Sequence, residues 1–302
     1  MTSPQTLAPK LLFGVNGFLG TYFLRSAEML GINRSKDSKG TLKTLYCDYT
    51  DMNSLINLVE SVKPDAIVNC VALTSVELCE QNPSLAMRLN VDFPLLLSMI
   101  AKQKKIAFVH FSSDAVFDGV NAPYGEESHP SPRSVYGNTK LLGENAVLKE
   151  YSRALVLRVN FYGNNIAKNK SLFNYFETHL VNNQTCEGYQ DIFFNPLYVK
   201  DVVRATMHLL KSKESGIYHL TGDEVLSKLD FGRRVATLLK KDALLIKPMS
   251  GAVYAHSTNR SQNLTLQNSK LRAIWNPSFD INSGILDSLS EGVKNANPNQ
   301  DV

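Results

Sequence analysis

The sequence predicts an α/β protein built on a doubly wound parallel sheet. In the first half of the chain, short apolar runs bounded by turn residues alternate with helical stretches. Two of the runs, residues 65–72 and 106–113, are apolar at nearly every position, which is typical of central strands buried on both faces. Residues 216–222 predict one more strand. The pattern therefore predicts a parallel sheet with helices on both sides.

Three glycines follow the first predicted strand at intervals of three residues and open the next helix. In open parallel sheets ligands lie beyond the carboxyl ends of the strands, where a helix N-terminus offers free N–H groups to phosphate oxygens. We expect Gly14 to permit a tight turn, Gly17 to let a pyrophosphate approach the backbone, and Gly20 to let the helix pack closely. The predicted cofactor-binding residues of this loop are Gly14, Asn16, Gly17, Phe18, Leu19 and Gly20.

The spacing of this loop, GxxGxxG, differs from the commoner dinucleotide fingerprint GxGxxG. An ordinary strand-to-helix turn is therefore the alternative interpretation of the glycines alone. The second strand carries information on the cofactor, because NAD sites usually place an acid at its end, whereas a basic residue suits the 2′-phosphate of NADP. Here the strand ends in Arg34, Ser35 and Lys36, which favours NADP(H) over NAD(H). Asp37 lies nearby, and a solvated basic loop is the alternative.

These observations predict two domains. Residues 1–165 form a Rossmann-like NADP(H)-binding domain, and residues 191–222 also join its sheet. Residues 166–190 and 223–302 form a smaller, mostly C-terminal substrate-binding lobe over the strand ends.

Two side chains one helical turn apart, Tyr136 and Lys140, form a candidate catalytic pair. A phenol with a pKa of about 10 is a poor acid–base group at neutral pH, and a nearby ammonium favours the phenolate. The YxxxK spacing also arises by chance, so a surface helix pair is the alternative. The hydroxyl of Ser113 strengthens the catalytic interpretation, because it ends a buried strand at the sheet edge that carries the glycine loop.

Taken together, these motifs resemble a known family. The glycine loop, "NCVALTSVELCE", "SSDAVFDG" and YxxxK occur in the order and at the intervals found in the extended short-chain dehydrogenase/reductases, and are most similar to the dTDP-4-dehydrorhamnose reductase family. The resemblance continues through "FFNPLYVKDVV" and "NLTLQNSKL", so it covers nearly the whole chain.

The resemblance implies NADPH-dependent reduction of the C4 carbonyl of a nucleotide-linked 4-keto-6-deoxy sugar. By position, Ser113 resembles the catalytic Ser/Thr, Tyr136 the proton donor, and Lys140 the residue that lowers the tyrosine pKa and binds the nicotinamide ribose. Asn90 is similar to a structural asparagine of the family. Further cofactor contacts implied in the same way are Asp48 and Tyr49 on the adenine side and Ala72, Leu73 and Thr74 along the ribose and phosphates.

The chain departs from the family at the expected sugar pocket. Ala115 stands where members usually have a tyrosine, and Asn160 and Phe161 stand where a tryptophan is common. The implied substrate contacts are Ser113, Asn160 and, by analogy with a nearby basic residue of the family, Arg260. The nucleotide, the sugar and the product stereochemistry therefore stay open.

Three other functions are weighed on the same residues. A 4,6-dehydratase needs an Asp-Glu pair after the catalytic hydroxyl, and here Asp114 is followed by Ala115. An epimerase keeps the Ser-Tyr-Lys set and retains NAD, and the missing acid after the second strand argues against it. A non-catalytic NADP-binding protein, similar to the regulatory subunit of methionine adenosyltransferase, is disfavoured by the retained Ser113, Tyr136 and Lys140.

Composition excludes further classes. The net charge of +4 is small for 302 residues and shows no block of like charges, so we expect neither nucleic acid nor a membrane as partner. No apolar run reaches the roughly 18 residues of a membrane span, and the N-terminus does not resemble a secretion signal, so a cytoplasmic location is expected. The cysteines and histidines lack metal-ligand spacing, and no metal is predicted. The resemblance implies a homodimer.

Overall fold

A seven-stranded parallel sheet forms the centre of the protein in a computed structural model of the chain. Its strands lie in the order β11-β6-β5-β4-β1-β2-β3, and every neighbouring pair is parallel. The structure describes residues 8–26, 29–34, 44–48, 51–166, 170–251 and 261–296.

The first half of the chain supplies five of the seven strands. Its elements, in chain order, are β1 (Lys10–Phe13), α1 (Phe18–Ser26), β2 (Met29–Asn33), β3 (Thr44–Tyr46), α2 (Met52–Val62), β4 (Ala66–Asn69), α3 (Val76–Gln81), α4 (Pro83–Met87), α5 (Phe93–Lys104) and β5 (Ala107–Ser113). A π-helical turn, Arg88–Asp92, joins α4 to α5, and a short 3₁₀ turn, Asp114–Val116, follows β5.

The second half adds two sheet strands and the smaller elements around the strand ends. They are α6 (Val135–Glu150), β6 (Leu155–Val159), β7 (Phe161–Tyr162), α7 (Leu172–Val181), β8 (Cys186–Tyr189), β9 (Phe193–Phe194), β10 (Leu197–Tyr198), α8 (Val199–Lys211), β11 (Gly216–Leu220), β12 (Leu226–Ser227), α9 (Lys228–Leu238), β13 (Ile246–Met249), α10 (Ser269–Ile274) and α11 (Ile281–Ala296).

Successive residues of the central strands point to opposite faces of the sheet, and each face carries its own hydrophobic core. Leu12 and Val68 belong to one cluster of buried side chains, whereas their neighbours Leu11 and Ile67 belong to another. All four side chains are fully buried. The predicted Rossmann-like, doubly wound α/β fold is thereby confirmed.

The smaller elements form three two-stranded sheets, in which β7 pairs with β10, β9 with β12, and β8 with β13. From the segment 191–222, strand β11 lies at the edge of the main sheet beside β6. The division of the chain into two domains with the boundaries given above stays a prediction.

One helical stretch, Pro83–Lys104, is long and apolar enough to span a membrane by composition. Half of its apolar window is buried inside the protein, however. That degree of burial is what a core helix requires, and Leu97 and Ala101 within it are fully buried in one of the two cores.

Helix α6 lies unusually close to the backbone of two neighbouring segments. A Cβ atom at Gly137 would be 2.2 Å from the carbonyl oxygen of Ala115, and one at Gly143 would be 2.1 Å from that of Asn90. Only glycine permits this approach. Because Tyr136 and Lys140 lie on the same helix, these two contacts fix the position of both side chains relative to the sheet.

We predict that Gly143→Ala destabilises the protein, although alanine is the better helix former. The methyl group would collide with a backbone oxygen, which cannot rotate away, and such overpacking costs about 1–3 kcal/mol. Urea denaturation measures the change. Gly125→Ala serves as the control, since its Cβ would meet its nearest neighbour, the Gln267 side chain, at 3.5 Å. A Gly143→Ala protein as stable as the wild type would contradict the prediction.

Candidate active site

The glycine loop turns sharply against the end of β4. Gly14 has φ +88°, and a Cβ there would lie 2.7 Å from the carbonyl carbon of Cys70. A Cβ at Gly20 would lie 2.1 Å from the carbonyl oxygen of Gly14, so the first turn of α1 packs directly on the loop. Gly17 donates its N–H to the same oxygen at 3.0 Å. The backbone thus leaves no room for side chains at Gly14 and Gly20.

A cavity of about 250 Å³ lies at the carboxyl ends of β1, β2 and β4. It occupies the topological switch of the sheet, because β2 and β4 flank β1 on opposite sides. The exposed side chain of Arg34 borders it. Its lining comprises Gly14, Val15, Asn16, Gly17, Ile32, Asn33, Arg34, Cys70, Val71 and Ala72.

These residues fit a dinucleotide. The cavity combines backbone that only glycine allows, the N-terminus of α1, and a guanidinium that can receive a phosphate. Of the other predicted cofactor contacts, Leu19 is buried in the core, and the half-buried ring of Phe18 packs 5.2 Å from that of Phe161. Thr74 is exposed, and Asp48 lies half-buried after β3. The predicted contacts Ser35, Lys36, Tyr49 and Arg260 lie outside the described residues.

The loop that contains Leu73 is held by the side chain of Asn90. The Asn90 amide accepts from the Leu73 N–H at 2.8 Å and donates to the Leu73 carbonyl oxygen at 3.1 Å. It also donates to the Thr139 hydroxyl on α6 at 3.0 Å. This fully buried asparagine therefore ties the loop that follows the cavity-lining residues to the helix that carries Tyr136 and Lys140.

The Ser113 hydroxyl lies where β5 ends and meets three groups. It donates to a carboxylate oxygen of Asp114 at 2.9 Å and accepts from the Ala115 N–H at 3.1 Å. The third group is the Tyr136 hydroxyl, and hydrogen bonding between the two side chains lowers the pKa of Tyr136. The structure thus brings Ser113 and Tyr136 together, as YxxxK and the strand end imply.

Tyr136 differs from expectation in its acidity. Burial raises its pKa to about 12, the bond with Ser113 opposes that rise, and the charge of Asp114 adds to it. Burial outweighs the lowering of this pKa that was expected from the neighbouring lysine. The Lys140 ammonium itself donates to the Phe111 carbonyl oxygen at 2.5 Å. The phenol is therefore protonated at neutral pH, which is the state that a proton donor needs.

Lys140 lies only 2% exposed between α6 and the sheet. Burial lowers its pKa from 10.5 to about 8, while the carboxylate of Glu144 acts in the opposite direction. The ammonium form therefore still predominates at neutral pH.

Sequence reasoning missed the role of Asp114. This buried carboxyl accepts from Ser113 and, through its other oxygen, from the side-chain amide of Asn160. Burial raises the pKa of Asp114, and both hydrogen bonds oppose that rise. Asn160 is predicted to contact the substrate, and in the structure its amide nitrogen donates to Asp114. The available signal was the position of Asp114 directly after the catalytic hydroxyl.

Among the described residues, no group of three or more His, Cys, Asp or Glu side chains could hold a metal ion. All four cysteines are free thiols. The candidate site comprises the cavity at the strand ends and the side chains of Ser113, Tyr136 and Lys140.

Fold and site together define a short-chain dehydrogenase/reductase of the extended type. A family model described as the RmlD substrate binding domain matches residues 10–285. The chain belongs to this family, in agreement with the resemblance of its motifs to the dTDP-4-dehydrorhamnose reductases.

Two relatives and one solved structure are similar to this chain. The chain is 29% identical over 243 residues to the probable low-salt glycan biosynthesis reductase Agl14 of Haloferax volcanii, covering 78% of this chain and 81% of the relative. It is 30% identical over 278 residues to methionine adenosyltransferase 2 subunit beta of Xenopus tropicalis, covering 87% and 81%. The dTDP-4-dehydrorhamnose reductase of Bacillus anthracis, solved in complex with NADP, has the same fold, with a TM-score of 0.81, 19% identity, and coverage of 95% and 100%.

We predict that the stability contributed by Lys140 increases as the pH rises from about 8 to 10.5. In this window the unfolded chain keeps the Lys140 proton that the folded protein has lost, so deprotonation favours folding. Relative to Lys140→Met, the wild type should gain on the order of 3 kcal/mol across the window. Urea unfolding of both proteins at several pH values measures the gain.

Lys149→Met is the matched control, because Lys149 is an exposed lysine of the same helix. Its stability difference from the wild type should not change with pH. A pH-independent difference for Lys140→Met as well would show that the folded protein does not perturb Lys140.

Proposed function

We propose that this protein reduces the C4 carbonyl of a nucleotide-linked 4-keto-6-deoxy sugar with NADPH, as a dTDP-4-dehydrorhamnose reductase-like enzyme. The observation that carries the proposal is that the Tyr136 and Ser113 hydroxyls lie side by side at the sheet edge that also bears the cavity. A phenol and a hydroxyl side by side can both approach one carbonyl oxygen. Membership in the RmlD family supports the same reaction class.

Each residue has a defined task in this proposal. NADPH, when bound, supplies the hydride. Tyr136, kept protonated by burial, donates its proton to the oxygen that becomes negative. Ser113 holds that oxygen, and its bond to Asp114 fixes its orientation. Lys140 provides a buried positive charge beside the nicotinamide ribose, which stabilises the tyrosinate left after proton transfer.

The preference for NADPH belongs to the proposal as well. Arg34 ends β2 on the border of the cavity, and its guanidinium offers a planar fork of donors to a 2′-phosphate. Ser35 and Lys36 follow in the sequence and would add to this phosphate site. The substrate residues Ser113, Asn160 and Arg260, a cytoplasmic location and a homodimer complete the proposal.

A second candidate function is that of a non-catalytic, NADP-binding regulatory subunit. The observation in its favour is the 30% identity to methionine adenosyltransferase 2 subunit beta over most of both chains. The retained Ser113-Tyr136 contact and the buried Lys140 support catalysis instead. An epimerase of the same fold stays a further alternative, since it would use the same three residues. NADPH oxidation with a panel of 4-keto nucleotide sugars discriminates, and cofactor binding without turnover on any sugar would support the regulatory function.

We predict that Tyr136→Phe lowers turnover by about 10²- to 10⁴-fold, because the variant keeps the ring but loses the proton donor. NADPH affinity, measured by cofactor fluorescence, should stay within about twofold of the wild type, since binding depends mainly on contacts elsewhere in the cavity. Turnover at the wild-type rate would remove Tyr136 from the mechanism.

We predict that Arg34→Ala weakens NADPH by about tenfold or more and leaves NADH nearly unchanged, because a charge-assisted bond to phosphate is worth about 1.5–3 kcal/mol. Titration of both cofactors against the variant measures the two affinities. Arg25→Ala, an exposed arginine at the end of α1, is the control and should change neither. Equal losses for NADPH and NADH would contradict a phosphate-binding role of Arg34.

A further inference from the structure

A fully buried ion pair lies one helical turn beyond Lys140. The Glu144 carboxylate, 1% exposed, accepts from Arg158 Nη2 at 2.7 Å and from Arg158 Nε at 3.0 and 3.2 Å. Arg158, on β6, is 2% exposed. Removing two charges from water is costly, so a buried pair adds little net stability unless its geometry is excellent. The position of the pair next to Lys140 indicates a role in the site as well.

Arg158 also has contacts on the side that faces away from Glu144. Its Nη1 lies 3.4 Å from Nε2 of His219, and its guanidinium lies 5.1 Å from the centre of the Phe117 ring. The Nδ1 atom of His219 donates to the Gln267 carbonyl oxygen at 3.0 Å, which leaves Nε2 free to accept from Arg158. Burial, and then the Arg158 charge, lower the pKa of His219 to about 3. Because the His219 imidazole is neutral, Glu144 is the charged partner of Arg158 in this group.

Glu144 faces Lys140, because residues four apart share one side of a helix. The Lys140 ammonium has the Phe111 carbonyl as hydrogen-bond acceptor at 2.5 Å, and a carbonyl is a dipole that does not neutralise a charge. The other titratable groups facing Lys140 are the thiols of Cys70 and Cys79 and the imidazole of His110. Burial raises the pKa of both thiols and lowers that of His110, so all three are uncharged at neutral pH. Glu144 is therefore the leading countercharge for the buried ammonium.

We propose that the Glu144–Arg158 pair is a positioning device that keeps Lys140 charged and directed at the site where Tyr136 reacts. Arg158 fixes the carboxylate in one rotamer and partly offsets its charge, so that Glu144 attracts the ammonium without drawing it away from the Phe111 carbonyl. The inference rests on the proposed function, because it assigns the pair a task in the reductase site. The pair itself touches neither the cavity nor Tyr136 in the contacts of the described residues.

The experiment measures NADPH affinity by fluorescence from pH 6.5 to 9.5, without sugar substrate. For the wild type, affinity should weaken as pH rises through about 8, where Lys140 loses its charge. Glu144→Gln should move that midpoint down by about one pH unit or more, since the Glu144 charge raises the pKa of Lys140 and a nearby opposite charge shifts a pKa by that amount. Glu144→Gln/Arg158→Met removes both charges, and its midpoint should fall between the other two.

The double variant also guards against misfolding, because Glu144→Gln alone leaves Arg158 as an unpaired buried charge. Circular dichroism verifies the fold of each protein first. Glu150→Gln is the matched control, since Glu150 lies on the same helix in an exposed pair with Lys102, and its midpoint should equal that of the wild type. Lys140→Met should show no midpoint at all.

The outcomes distinguish a failure of the proposed function from a failure of the positioning role. Absence of NADPH binding in the wild type would overturn the proposed function. Normal binding with the same midpoint in the wild type and the folded double variant would overturn the positioning role alone. A midpoint that persists in Lys140→Met would overturn it too, because the titrating group would then be a different one.

Discussion

The direct contact of helix α6 with the backbone around Ala115 and Asn90 is the constraint on which the site depends. Gly137 and Gly143 let the helix approach to a distance that no other residue permits. This approach buries Lys140 and Glu144 between helix and sheet and brings the Tyr136 hydroxyl to Ser113. The positions of the candidate catalytic residues thus depend on the absence of side chains at Gly137 and Gly143.

Close packing has an electrostatic consequence, because burial disfavours the charged form of every ionisable group. It raises the pKa of Tyr136 to about 12 and lowers that of Lys140 to about 8, and the two effects act in opposite directions on the pair. A neutral phenol suits a proton donor, whereas a neutral amine could not stabilise the tyrosinate. The site therefore needs a source of negative potential near Lys140, and the Phe111 carbonyl and Glu144 supply it.

Much of the fold and part of the site could be predicted from the sequence, because both are encoded locally. Buried strands are continuous apolar runs, and the glycine loop and the Tyr136–Lys140 spacing each lie within one short segment. The Glu144–Arg158 pair could not be predicted, since its members lie on different elements and meet only when β6 packs under α6. The acidity of Tyr136 was predicted with the wrong sign, because the sequence shows the neighbouring lysine but not the burial that outweighs it.

The contact between Asp114 and Asn160 bears on the choice between reactions. A dehydratase needs a carboxyl that gives and takes a proton at the sugar. Here both oxygens of Asp114 accept hydrogen bonds, one from Ser113 and one from Asn160, within a buried environment. A carboxylate engaged in this way orients the side chains of Ser113 and Asn160. With alanine at position 115 in place of a second acid, the arrangement suits a reductase, in which Tyr136 alone transfers the proton.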